Sequence, residues 1–305
     1  MKRIANQDRP LRPILKWAGG KGQLLEEIRQ RYPEQLGTTI TKYAEPFVGG
    51  GAVLFDILSH YDLEQVYISD TNAALINVYT SLRDATELLV DTLKHYEAEY
   101  LPLATQERKT YFYAKRARFN KFKLASQYDA ELAALFIFLN RTCFNGLYRV
   151  NSKGEYNVPM GAYKSPTICD ESNLRQVAYA LQGVTIECAP YSNANKFIDQ
   201  HTFAYFDPPY RPLSVTSSFT AYTENDFNDE CQIELSKFII EMSQRGAYVL
   251  ASNSDPRNTN PTDDFFDKLY KGMKIESISA SRMINSKASA RGPIKEILIS
   301  NGKEY

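Results

Sequence analysis

The chain has 305 residues, 43% of them hydrophobic and 24% charged, which suits a globular protein built as one large domain or as a domain with an insertion. Its 36 basic residues are matched by 36 acidic ones, so whole-chain charge gives no support to a polyanionic partner, and any nucleic-acid contact must rest on local clusters. No apolar run is long enough to span a bilayer and Met1 to Asn6 lacks an apolar signal core, while Cys143, Cys169, Cys188 and Cys231 show neither C-x-x-C spacing nor a neighbouring His; the reading is a cytoplasmic protein with no membrane segment, no metal site and no disulfide framework.

In chain order, the first informative segment is Leu15-Lys16-Trp17-Ala18-Gly19-Gly20-Lys21, which holds the only tryptophan. It fails as a phosphate-binding P-loop, because Gly22 follows Lys21 and the upstream glycine is missing. Two readings stand: a glycine turn that presents an indole and an ammonium to a ligand, or a core Trp beside a surface Lys. Tyr43-Ala44 then leads as a short strand into Glu45-Pro46-Phe47-Val48-Gly49-Gly50-Gly51, and Ala52 to Ser59 reads as a helix. Glycines at that junction allow close approach of a ligand to the backbone, and the helix start offers free N–H groups. Val66 to Ser69 forms a second strand that ends at Asp70, 25 residues after Glu45, where an acid in a nucleotide-binding α/β sheet meets ribose hydroxyls. The spacing is not G-x-G-x-x-G, so a dinucleotide is not the obvious ligand.

From about Thr86 to Lys164 the rhythm changes to three helical patterns followed by a hairpin, Tyr148 to Val158, turned at Asn151-Ser152-Lys153-Gly154. Between Arg108 and Lys123 basic residues (Arg108, Lys109, Lys115, Arg116, Arg118, Lys121, Lys123) interleave with Tyr111, Phe112, Tyr113, Phe119 and Phe122. Helical wrapping can set the bases toward phosphates and the aromatics inward, although such a run is often a plain solvated face. Strand patterns resume at Val184 to Cys188, Phe203 to Phe206, Tyr248 to Ala251, Ile275 to Ile278 and Ile297 to Ile299, with a helix from Asp229 to Arg245. The alternation predicts a doubly wound α/β sheet, with residues 86–164 as an inserted, mostly helical domain and 1–85 with 165–305 as the sheet domain. At the carboxyl end of the fourth predicted strand lies Asp207-Pro208-Pro209-Tyr210, an acid, two prolines and an aromatic. They make a rigid wall with acceptors for the N–H groups of a planar amine and a ring to stack on it, or else a proline turn. Asn253-Ser254-Asp255 reads as a supporting edge or a turn, and His60, His95 and His201 fall on separate elements without metal-ligand spacing.

Taken together, K-W-A-G-G-K, E-P-F-V-G-G-G and D-P-P-Y, with Phe144-Asn145-Gly146-Leu147-Tyr148-Arg149-Val150-Asn151, Val158-Pro159-Met160-Gly161 and Phe219-Thr220-Ala221-Tyr222, resemble the DNA adenine methylase (Dam) family over nearly the whole chain. The order of motifs is similar to the α group of amino-methyltransferases. The resemblance implies a Rossmann-like methyltransferase sheet and transfer of a methyl group from S-adenosylmethionine to N6 of adenine in double-stranded DNA, within G-A-T-C, by base flipping. It assigns Trp17, Lys21, Asp70 and Asp207 to the cofactor, with Glu45, Phe47, Gly49 and Gly51 lining the cleft, and Asp207, Pro208 and Tyr210 to the reaction. It assigns Leu147, Arg149 and Pro159 to base reading, helped by Asn145 and Tyr148, with Lys16 and Lys164 approaching DNA. Ala162 departs from the arginine often found there, and Arg282 and Arg291 are further phosphate candidates. An N4-cytosine methyltransferase, more often S-P-P-Y, and a non-catalytic DNA-binding relative remain as alternatives. A cognate restriction endonuclease is left open as a partner, and the expected place of work is the nucleoid.

Overall fold

The structure, a computed structural model, describes residues 10–211, 227–280 and 294–302. Phe219 to Tyr222, Arg282 and Arg291 lie outside the described residues. Among those described, the strands are β1 (Lys42–Glu45), β2 (Gln65–Asp70), β3 (Thr185–Cys188), β4 (Thr202–Phe206), β5 (Tyr248–Ser254), β6 (Lys274–Ala280) and β7 (Ile294–Ser300). They form one sheet in the order β3-β2-β1-β4-β5-β7-β6. β1 pairs in parallel with both β2 and β4, β2 with β3, and β4 with β5. Only β7 runs against its neighbours, between β5 and β6. The expected doubly wound sheet is therefore present.

The strands are strands because both faces are covered. Every residue of β4 is buried, and its side chains alternate: Phe203 and Tyr205 enter one apolar cluster, Ala204 and Phe206 the other. A parallel strand covered on both sides has no polar face, which is why the sequence reads there as a continuous apolar run. The helices flanking the sheet are α1 (Leu25–Arg29), α2 (Ala52–His60), α3 (Ala73–Asp84), α7 (Glu171–Ala180), α8 (Asp229–Gln244) and α9 (Phe265–Leu269). Short polar side chains start several of them. Asn72 accepts the Leu75 N–H at 3.1 Å to open α3, and Asn228 accepts the Cys231 N–H at 3.0 Å to open α8.

Residues between α3 and α7 fold as α4 (Thr86–Tyr100), α5 (Thr105–Leu124) and α6 (Ala130–Thr142). Helix α6 is buried nearly all round, from Leu132 through Asn140, as expected of a helix without a polar face. It packs against α3, α4 and α5, and α3 in turn packs on the sheet side. One continuous apolar cluster runs from Phe203 and Tyr205 of the sheet to Phe136 and Phe138 of α6. The turn at Asn151 to Gly154 is present, but the hairpin is a narrow loop with a single antiparallel bridge, Val150 to Tyr156, rather than a ladder. Its rungs are Asn151 N–H to the Glu155 carbonyl at 2.9 Å and Asn157 N–H to the Arg149 carbonyl at 3.1 Å.

Phe138 sits in the aromatic centre of α6, with ring centroids 5.3 Å from Tyr100, 5.6 Å from Tyr111 and 5.8 Å from Tyr96. Phe138→Ala should lower the unfolding free energy by about 3–5 kcal/mol through lost transfer energy and an unfilled cavity. Urea denaturation followed by circular dichroism measures this, and a loss below about 1 kcal/mol would contradict the packing described.

Candidate active site

β1 lies between β2 and β4 in the sheet: the chain runs outward through β2 to β3, then crosses back to place β4 on the other flank of β1. A crevice opens at the carboxyl ends of strands where the order reverses in this way, and ligands of doubly wound sheets bind there. Glu45, Asp70 and Asp207 stand at or just past the ends of β1, β2 and β4. The glycine turn after β1 enters α2 through Gly51, whose φ of 72° lies in the left-handed region, and a Cβ there would meet the Tyr79 hydroxyl at 2.6 Å. The turn is tied to β2: the Gly49 N–H donates to Asp70 Oδ2 at 3.2 Å, while Asp70 Oδ1 accepts the Asn72 N–H at 2.9 Å. Burial pushes the Asp70 carboxyl up, against the three backbone donors that surround it.

The N-terminal motif lies directly on this turn. A Cβ at Gly50 would fall 2.8 Å from the Trp17 Cβ, so the indole occupies space that only a glycine leaves open. On its other side Trp17 stacks with Tyr148 at 5.9 Å and 18°. Trp17, partly exposed, is packed between the glycine turn and the loop bearing Arg149. Lys21 is the ammonium buried in the crevice, 4% exposed. Its Nζ lies 2.7 Å from Asp207 Oδ1 and 2.7 Å from the Gly19 carbonyl, and stands over the Tyr210 ring at 4.6 Å from the centroid. A buried ammonium is tolerated because a carboxylate, a carbonyl and a ring face replace its water.

The loop after β4 is held from behind. Ser252 donates to Asp207 Oδ1 at 2.8 Å, Gln232 donates to the Pro209 carbonyl at 3.0 Å, and Asn253 holds Gln232 at 3.1 Å. The Tyr210 hydroxyl donates to Glu296 on β7, and burial together with Asp207 and Glu296 pushes its pKa well above the ordinary phenol, so it stays a donor. Arg211 closes the loop with Asp229 at 2.7 Å and Asp263 at 2.8 Å. Asn253 and Ser254 belong to β5 itself, buried and bonded to Arg211, so they brace the site rather than turn away from it. Glu45 is buried beneath, accepting from Tyr43 at 2.7 Å, and burial pushes its carboxyl up to about 8. Phe47 stands at the crevice edge, stacked on Tyr191 at 5.6 Å.

Residues expected to face a duplex gather around the loop after α6. Asn145 is exposed, with a left-handed φ of 55°, and Gly146 behind it packs on the Lys16 side chain. Lys16 Nζ reaches the Tyr163 hydroxyl at 3.2 Å. Tyr148 is wedged against Trp17, Phe136 and Tyr156. Arg149 is exposed and its Nε donates to Asn157 Oδ1 at 2.8 Å. Pro159 and Lys164 are exposed nearby, and Leu147 is partly buried. The basic run of α5 does not form one free stripe. Phe112 and Phe119 point inward as expected, but Arg118 pairs with Glu131 at 2.5 Å, Lys115 lies over the Tyr96 ring at 3.8 Å, and Arg108 and Arg116 donate to the carbonyls of Lys164 and Val158. Carboxylates and carbonyls on neighbouring elements capture these cations, a circumstance the run itself does not carry. Ser252, Gln232 and Glu296 carry no motif in the sequence: Ser252 and Glu296 adjoin the apolar runs of β5 and β7, and Gln232 is one polar residue on the buried side of α8.

Among the described residues there is no group of three or more His, Cys, Asp or Glu side chains arranged to hold a metal ion, and no helix long and apolar enough to cross a membrane. The model of the D12 class N6 adenine-specific DNA methyltransferases matches residues 17–284. The chain is 46% identical over 293 residues to the Type II methyltransferase M.MjaIII of Methanocaldococcus jannaschii, covering 95% of this chain and 99% of the relative. It is 34% identical over 287 residues to the DNA adenine methylase of Escherichia coli, covering 94% of each, and 33% identical over 292 residues to that of Haemophilus influenzae, covering 94% and 92%. Enzymes of this family take their methyl group from S-adenosylmethionine, and the crevice between β1 and β4 is where a Rossmann-like sheet receives such a ligand. The match spans both the sheet and the helical segment, so the chain belongs to the D12 class of N6 adenine-specific DNA methyltransferases and is an adenine-specific DNA methyltransferase.

Proposed function

We propose that the adenine methylated is the one in duplex G-A-T-C, turned out of the helix, and that Asp207, Pro208 and Tyr210 perform the reaction. The observation that carries this is the meeting of Lys21, Asp207 and Tyr210 within hydrogen-bond and ring-contact distance at the mouth of the glycine turn. S-adenosylmethionine suits the residues present. Asp70 offers carboxylate lone pairs beside the turn for ribose hydroxyls, Phe47 a partly exposed ring, and Glu45, Gly49, Gly51 and Trp17 the floor and wall. Bound there, it would supply a methyl group on a positive sulfonium: as the N6–C bond forms the S–C bond breaks, S-adenosylhomocysteine leaves and N6 gives up one proton to solvent, so no covalent enzyme intermediate is needed.

The chain's own part is to make a poor nucleophile attack. The N6 lone pair of adenine is delocalised into the ring. The Asp207 carboxylate and the Pro208 carbonyl accept its two N–H groups, which draws N6 toward a tetrahedral shape and frees the lone pair. The Tyr210 ring, held at its hydroxyl by Glu296, stacks on the everted base. A planar base outside the helix needs such a face to replace the stacking it has lost. Leu147, Arg149 and Pro159 read the site, with Asn145 and Tyr148 supporting and Lys16 and Lys164 against the backbone. Residues 86–164 then form a recognition domain on a catalytic domain of 1–85 and 165–305. Relatives named Type II methyltransferases support a place in a restriction–modification system, with an endonuclease of the same target as partner and the nucleoid as the place of work.

Asp207→Ala should abolish methyl transfer while the protein stays folded. Tritium transfer from labelled S-adenosylmethionine beside circular dichroism tests it, and a folded variant that keeps most of its activity would refute the role. Arg149→Ala should relax discrimination at the outer base pair by about 1–3 kcal/mol, the worth of a bidentate arginine–guanine contact. Competition among one-base variants of G-A-T-C reads this out, and an unchanged preference would count against it. The Glu45 carboxyl, raised from 4.5 to about 8 on folding, holds its proton more tightly in the native state. Its contribution is full below the unfolded pKa and is lost as the pH climbs through the folded one. Glu45→Gln should therefore gain melting temperature relative to wild type as pH rises, and parallel melting curves across that window would show the carboxyl to be unperturbed.

A further inference from the structure

We infer that Ser252, with Tyr205 behind it, is a positioning residue that decides which oxygen of Asp207 meets the target amine. β4 and β5 pair in parallel with Phe206 opposite Ala251, so the next residue on each strand, Asp207 and Ser252, come side by side. Ser252 Oγ lies 2.8 Å from Asp207 Oδ1 and 3.1 Å from the Tyr205 hydroxyl oxygen. Both Ser252 and Tyr205 are buried, at 1% and 0% exposure. A serine hydroxyl has one proton to give. The ionised carboxylate only accepts, so that proton goes to Asp207, and the tyrosine must then donate to the serine. The order is fixed as Tyr205 O–H to Ser252 Oγ, and Ser252 O–H to Asp207 Oδ1. The Phe206 carbonyl at 3.5 Å is a poorer competitor for the same proton.

Oδ1 thus accepts the Ser252 hydroxyl and is ion-paired with the Lys21 ammonium, while Oδ2 has no donor among the described residues. A hydrogen bond and an ion pair converging on one oxygen from different elements hold the carboxylate against rotation, and in the Tyr205–Ser252–Asp207 chain each hydrogen bond polarises the next. The oxygen left over is the one with lone pairs for an N–H of the adenine amine. Tyr205 and Ser252 touch no substrate; they act through Asp207. The inference rests on the reading of Asp207 as an acceptor for N6, and it concerns the reacting geometry rather than binding. Its loss should therefore appear in kcat and leave KM alone.

The test is steady-state methylation of plasmid DNA lacking adenine methylation by wild type, Ser252→Ala, Tyr205→Phe, the double variant and Asp207→Asn, each checked by thermal unfolding. Ser252→Ala is expected to lower kcat by about tenfold to a hundredfold, as small misplacements of reacting groups do, with KM for S-adenosylmethionine and for DNA within about twofold of wild type. Tyr205→Phe should lower kcat by less, and should cost nothing further in the Ser252→Ala background, because the relay is already cut. A Ser252→Ala enzyme with wild-type kcat, or one whose loss lies in KM or in folded fraction, overturns the inference. Additive losses in the double variant overturn the relay. An inactive, folded Asp207→Asn beside an unaffected Ser252→Ala sinks the positioning role alone, whereas an active Asp207→Asn sinks the reading of Asp207 on which it stands.

Discussion

Removing an ammonium group from water is costly unless opposite charge and acceptors replace the lost hydration, and the crevice is organised around doing so for Lys21. Its side chain, 4% exposed, is met by Asp207, by the Gly19 carbonyl and by the face of Tyr210. One partner comes from its own glycine turn and two from the loop after β4. The N-terminal segment and that loop are far apart in sequence, and the buried ion pair ties one to the other. The pair also decides where Asp207 can point, since Lys21 and Ser252 take the same oxygen. Beneath it the buried Glu45 carboxyl is pushed up to about 8 by its apolar setting.

Trp17 extends the same arrangement toward the loop that carries Arg149. It lies on the glycine turn, where any side chain at Gly50 would collide with it, and stacks on Tyr148, one residue before Arg149. Tyr148 in turn packs on Phe136 of α6 at 4.9 Å. The crevice and the loop that carries Arg149 thus share an aromatic stack and one apolar cluster. A shift of one should be felt by the other through packed rings, which do not deform freely.

The elements of the sheet were legible because parallel strands covered on both faces leave long apolar runs, and because glycines and acids collect at their carboxyl ends. Phe203 to Phe206 and Val66 to Ser69 are instances. The motifs around Glu45 and Asp207 were legible for the same reason, since each sits where a strand stops, whereas Lys21 precedes β1 and was marked by its glycines and the tryptophan. The basic run of α5 was less so. Its composition suggested a phosphate-facing stripe, yet Arg118, Lys115 and Arg116 are engaged by Glu131, Tyr96 and the Val158 carbonyl. A charge's partners are chosen by neighbouring elements, and a linear pattern holds no record of them.

What the sequence by itself determined is the alternation of elements, the positions at which strands end, and the residue types waiting there: glycine for close approach, acid for hydroxyl and amine, aromatic for a ring. These follow from local backbone preference and side-chain chemistry. Only the tertiary structure decided the strand order that brings the ends of β1 and β4 together, the place of Trp17 between the glycine turn and Tyr148, and the pairing of Lys21 with Asp207. It also brought in Ser252 and Glu296, polar residues on β5 and β7 just beyond the apolar runs read from sequence. Their importance arises from which strand lies next to which, and that depends on packing across the whole sheet.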